Sequence, residues 1–175
     1  MKGYPLFYLA LGLAKFDMVL PHNLNVTVIG ANNGKSRFEC WELDAPFMSS
    51  TQSGVVGTET TTLGDVANIT YNVIPANFDS GLHNAPYSQW AIVLQGKAVL
   101  TLPDNTSTKV VLVPGSLVFF SDTTEVSDKG HGCYYPGATR SVFLQIPAKD
   151  GKAPGHHVVS ADAPCPGVRG EDRSW

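Results

Sequence analysis

The sequence predicts a single all-β domain, a sandwich or barrel, and three features predict it. About eight short strand-like runs follow one another at close spacing. Seventeen Gly and twelve Pro in 175 residues supply frequent turns between them. No stretch holds a helical period for more than about two turns. The length suits one domain with a sizeable core, and 43% hydrophobic against 15% charged residues suits a globular chain.

In chain order, Asn23 to Ile29 alternates as a half-buried strand and Gly30 to Gly34 turns the chain. Arg37 to Leu43 follows, with Phe38, Cys40 and Glu42 on one face and Glu39, Trp41 and Leu43 on the other. Pro46 to Thr62, rich in Ser, Thr and Gly, reads as a long surface loop. Val66 to Ile74 is strand-like, with Ile69, Tyr71 and Val73 sharing a face, and Pro75 to Gly81 turns towards His83. Gln89 to Leu94 and Lys97 to Leu102 are strands joined at Gly96, which permits a tight or bulged corner. Pro103 to Thr108 closes a hairpin onto Lys109 to Val113, and after the Pro114-Gly115 turn Ser116 to Phe120 is a further strand. Asp122 to Gly132 reads as a polar loop carrying His131, and Ser141 to Ile146 is the last strand. The Pro- and Gly-rich tail from Ala148 is expected to lie along the body or to be partly mobile.

The N-terminus has the form of an export signal. Lys2 precedes a short apolar run, Pro5 to Ala14, and small residues at Gly12 and Ala14 place the cut after Ala14. The run is too short to span a bilayer; a buried first strand or helix is the alternative. Sequons at Asn25, Asn68 and Asn105 agree with export and glycosylation. Three cysteines, Cys40, Cys133 and Cys165, allow one disulfide of open connectivity and leave one thiol. The net charge of −3 and the absence of a basic run argue against nucleic acid or a membrane surface as partner.

The stretch from Gly81 to His131 carries the chemistry. It holds His83-Asn84-Ala85-Pro86-Tyr87-Ser88-Gln89 with Gly96, then Pro114-Gly115 with Asp122-Thr123-Thr124 and Gly130-His131. These two segments, in this order, resemble the motifs of the cupin family, and most closely its small single-domain members. With the signal and sequons, the whole looks like a secreted fungal cupin-domain protein. The resemblance implies a jelly-roll β-barrel over residues 15–147, with a motif core over 69–147, between a signal at 1–14 and a tail at 148–175. It also implies a homodimer, since many cupins pair through edge strands.

A typical cupin site holds a divalent transition metal such as iron, manganese, nickel or zinc with three histidines and a glutamate. Here His83 stands at the first histidine, Ala85 at the second, Gln89 at the glutamate and His131 at the last. A metal on His83, His131 and Gln89 lacks an anionic donor; Asp122, Tyr134 or Tyr135 are the candidates to supply one. The metal-free alternative uses His83 and His131 as general acid and base, with Gln89 orienting a ligand carbonyl or hydroxyl. Val93 and either Phe119 or Phe120 are expected as apolar walls, with Tyr134 and Asp122 lining the pocket. Three functions remain open. The first is an isomerase, cyclase or oxidase of small-molecule or secondary metabolism. The second is a non-catalytic binding or storage module, with both histidines as hydrogen-bonded core residues. The third is a metal-dependent dioxygenase.

Overall fold

The computed structural model describes residues 22–166; the expected signal peptide lies outside them. These residues are all-β apart from one 3-10 turn, Lys149–Gly151. Thirteen strands follow in order: β1 (Asn23–Asn32), β2 (Lys35–Pro46), β3 (Met48–Ser49), β4 (Glu59–Thr60), β5 (Thr70–Ile74), β6 (Phe78–His83), β7 (Gln89–Gln95), β8 (Ala98–Leu102), β9 (Asn105–Leu112), β10 (Leu117–Phe120), β11 (His131–Tyr135), β12 (Ser141–Pro147) and β13 (His156–Ser160). A seven-stranded sheet runs β13-β2-β1-β10-β7-β12-β5, a four-stranded sheet runs β6-β11-β8-β9, and β3 and β4 form a small hairpin. No helix among the described residues is long and apolar enough to cross a membrane.

The two large sheets face one another because alternation puts an apolar row on each. Ile29, Phe38, Val93, Val118, Phe120 and Phe143 come from the larger sheet; Leu100, Leu112 and Cys133 come from the smaller. These side chains form one buried cluster, and each large one contributes about 1.5–3 kcal/mol by leaving water. The opposite face of the larger sheet buries a second cluster of Val26, Val28, Trp41, Leu43, Trp90 and Phe119. Leu63 and Ala153, from connecting segments, pack over it. Period-2 alternation thus decides an open expectation: Phe120 faces the space between the sheets and Phe119 faces away from it.

Several elements depart from the sequence reading. The first hairpin turns later than expected, at Asn33-Gly34, where both residues have positive φ. The long loop after Pro46 contains the β3–β4 hairpin. β5 begins at Thr70, while Val66 makes only an isolated bridge to Ala148. The shared face of Ile69, Tyr71 and Val73 is a solvent face at the sheet edge. β6 and β11 lie where a turn and the end of a loop were expected. Their sequences, FDSGLH and HGCYY, are poor in β-branched residues, and they become strands by pairing with each other and, for β11, with β8.

Residues 148–166 of the tail are part of the body. β13 pairs antiparallel with β2, and Cys165 forms a disulfide with Cys40 across a separation of 125 residues. A loop that long is worth about 4–5 kcal/mol in the chain-entropy account. Cys133 is the remaining thiol, buried, and burial raises it to about 11, so it does not form a thiolate–imidazole pair with His131 near neutral pH. Of the three sequons, Asn25 and Asn68 are exposed, whereas Asn105 is half-buried and bonded within its own turn to Ser107 and Thr108.

Candidate functional site

β6 ends at His83, where Asn84 and the Ala85-Pro86 step take the chain out of the ladder, and β11 begins at His131. In the antiparallel register His83 stands directly opposite His131. Opposite residues project to the same side of a sheet, and the two imidazoles lie 4.7 Å apart between centroids, tilted by 52°. Gly130 makes this approach feasible. Its φ is +66°, and a Cβ there would overlap the backbone carbonyl of His83.

His131 is held by a buried carboxylate. Its Nδ1 lies 2.8 Å from Asp122 Oδ2, and Asp122 is 0% exposed. A carboxylate only accepts, so Nδ1 carries the proton and the neutral ring keeps its lone pair on Nε2. A hydroxyl chain supports the same oxygen: the Gly130 amide donates to Ser127 Oγ, the Ser127 and Ser36 hydroxyls lie 2.7 Å apart, and Ser36 donates to Asp122 Oδ2 at 2.8 Å. Asp122 Oδ1 is buried and has no hydrogen-bond partner among the described residues. Asn84 clamps the loop, donating to the carbonyls of Asp122 and Ser127.

His83 is oriented in the same way from the other strand. Its Nδ1 lies 3.1 Å from the Gly81 carbonyl, which also only accepts, so Nε2 again bears the lone pair. The residue is exposed, yet the withdrawal of its ring from water and then the neighbouring His131 hold it below the ordinary histidine value. Phe120 stacks on His131 at 4.8 Å and walls the site from the core.

The expected pocket residues divide into those at the site and those elsewhere. His83, His131 and Asp122 come together. Gln89 is buried at the start of β7 on the same face as Ala91 and Val93, and pairs in register with Phe120. Tyr134 is not a pocket residue. Alternation along β11 turns it outward, where it is 37% exposed and bonds Asn77, while Tyr135 turns inward against Phe143. His156 and His157 lie apart from the site. The first stacks on Trp41 and the second lies 3.5 Å from Glu42.

Two imidazoles with free Nε2 atoms, each anchored at Nδ1, match half of a metal's needs. Asp122 gives one oxygen to His131 and Ser36 and buries the other, and among the described residues no three His, Cys, Asp or Glu side chains converge. This donor set does not fit a firmly held metal ion.

Ser36 and Ser127 carry no signal in the sequence, and Asn84, although it lies inside the first motif, has no role that the motif assigns. Serine and asparagine are common in turns, and Ser36 and Asp122 are 86 residues apart, so no spacing joins them. No family model matches the chain, and no curated protein matches it.

Proposed function

We propose that the chain is a small cupin jelly roll that binds a small organic molecule at the His83–His131 pair and moves a proton on it. The observation that carries this reading is the pairing of two imidazoles across β6 and β11, one backed by a buried carboxylate. Motif order in the sequence and the facing sheets support the cupin assignment.

The chemistry follows from the unequal surroundings of the rings. His83, held below its ordinary value and open to solvent, is neutral at physiological pH and takes a proton at Nε2. In the proposed step His131 carries a proton at Nε2 as well as at Nδ1, where Asp122 accepts from it, and its Nε2–H donates to a substrate carbonyl oxygen. A C–H bond beside that carbonyl breaks, its proton goes to His83, and the electron pair moves onto the oxygen. The carbonyl oxygen takes the His131 proton, the hydroxyl on the deprotonated carbon gives its proton back to His131, and delivery of the His83 proton to the former carbonyl carbon completes an α-hydroxycarbonyl isomerisation with no co-reactant.

The test is deuterium uptake in heavy water by hydroxyacetone and dihydroxyacetone, followed by proton nuclear magnetic resonance. Wild type should exceed buffer, and His83→Gln and His131→Gln should each lose about 100-fold or more with unchanged thermal unfolding. Equal rates in all three proteins overturn the catalytic reading. Saturable binding without exchange leaves a binding or storage module.

The same reading places the protein outside the cell as a glycoprotein. The Cys40–Cys165 disulfide and the exposed Asn25 and Asn68 support it. Intact mass before and after glycosidase treatment of secreted protein tests it.

A further inference from the structure

A cleft of about 460 Å³ opens between the β1–β2 turn and the β8–β9 turn, within the size range of small-molecule sites. Asn32, Lys35, Arg37, Asp104, Asn105 and Asp162 form its walls, and Phe38 and Leu102 form its floor. Neither histidine lines it.

The charges around this cleft cancel. Lys35 lies 3.4 Å from Asp104, and Lys129 reaches the other oxygen of Asp104 at 3.6 Å. Arg37 is held at Nε by Glu39, 2.6 Å away, and lies 3.9 Å from Asp162 through Nη1. Every cation thus faces a carboxylate, and an ionic ligand of either sign would have to displace a partner already in place. An uncharged ligand meets no such cost. The amide of Asn32, the ammonium, the guanidinium and the carboxylates offer donors and acceptors at close spacing, more than an apolar ligand could satisfy. The floor of Phe38 and Leu102 suits the C–H face of a ring.

The back wall is Ser36, whose hydroxyl donates to the Asp122 oxygen that holds His131. A ligand hydroxyl bonding Ser36 competes for that donor and so alters the surroundings of His131.

We propose that this cleft binds a neutral, hydroxyl-rich small molecule of mono- or disaccharide size, and that Ser36 relays its occupancy to His131. The inference does not depend on the acid–base reading, because the two sites share only Ser36.

The experiment is a nuclear magnetic resonance titration of the intact protein with glucose, maltose and cellobiose, with gluconate and glucosamine as charged comparators. The backbone amides of Asn32, Lys35 and Asp104 should shift and saturate with at least one neutral sugar by about 10 mM, which corresponds to a millimolar dissociation constant or tighter. The charged comparators should bind more weakly. The His131 ring Cε1–H signal should move with saturation in wild type and stay still in Ser36→Ala. Lys35→Ala, at an exposed position, is the second variant and should weaken binding several-fold without loss of fold. No saturable shift at that concentration, or preference for gluconate or glucosamine, overturns the ligand class. Saturation with a motionless His131 signal overturns the relay.

Discussion

Among the described residues two carboxylates are buried, and their surroundings differ. Glu39, 4% exposed, has a donor on each oxygen: the Arg37 Nε on one and the Trp41 Nε1 on the other, both at 2.6 Å. Both partners lie two residues away on β2, the spacing that returns a side chain to the same face of a strand. Asp122, 0% exposed, places two donors on one oxygen, His131 and Ser36, and leaves the other without a partner. One charge is met entirely by its own strand. The other is assembled from distant segments, touches an imidazole and keeps unused acceptor capacity. A carboxylate of the first kind holds structure; one of the second kind is equipped to support proton movement.

The largest expected effect tests the first half of this contrast. Glu39→Ala strips Arg37 and Trp41 of their shared acceptor and should cost about 3–5 kcal/mol in urea unfolding, while the His131 ring signals keep their positions. A loss below about 1 kcal/mol would mean that water replaces the carboxylate and that the structural role fails.

Gly130→Ala comes next. The side chain would need the left-handed region and would press on the His83 carbonyl, so about 2–3 kcal/mol should be lost. The cross-strand Overhauser contact between the His83 and His131 rings should weaken with it. Retention of both stability and contact would show that Gly130 does not set the pairing.

Asp122→Asn sharpens the second half. The amide keeps the shape and one acceptor, so stability should change by only about 1–2 kcal/mol. Deuterium exchange should fall by about 100-fold or more, because an amide cannot stabilise an imidazolium as a carboxylate does. A large loss of stability with unchanged exchange would make Asp122 a second Glu39.

The smallest effect is a pH slope. His83 sits below its ordinary 6.5 in the folded chain, so the unfolded chain takes up that proton first as pH falls. Its contribution to stability is complete above 6.5 and is lost as pH falls through the folded value. Urea midpoints between about pH 8 and about pH 5 should show this decline in wild type and a flatter profile in His83→Gln. Identical profiles would mean that the ring is as well solvated folded as unfolded.

Much of the strand plan was legible because it is local. β1 and β8 alternate along their own sequence, β7, β10 and β12 are short apolar runs bounded by turn residues, and β2 presents its two faces as its residue types dictate. β6 and β11 were not legible, since neither has the composition of a strand and each is defined by the other. The site was legible in part. His83 and His131 stand out as rare residues in recognisable segments, whereas the assignment of Tyr134 to the pocket failed because the one-residue alternation of β11 cannot be read without knowing that β11 exists.

By itself, the sequence determined the all-β class, the two histidines and the presence of one disulfide's worth of cysteines with one thiol over, since these follow from residue type and short-range period. Only the tertiary structure decided that Cys40 meets Cys165, that His83 faces His131, and that Ser36 and Asp122 stand behind His131. Those partners are up to 125 residues apart, and their meeting is set by sheet register and loop closure. No pattern of neighbouring residues encodes either.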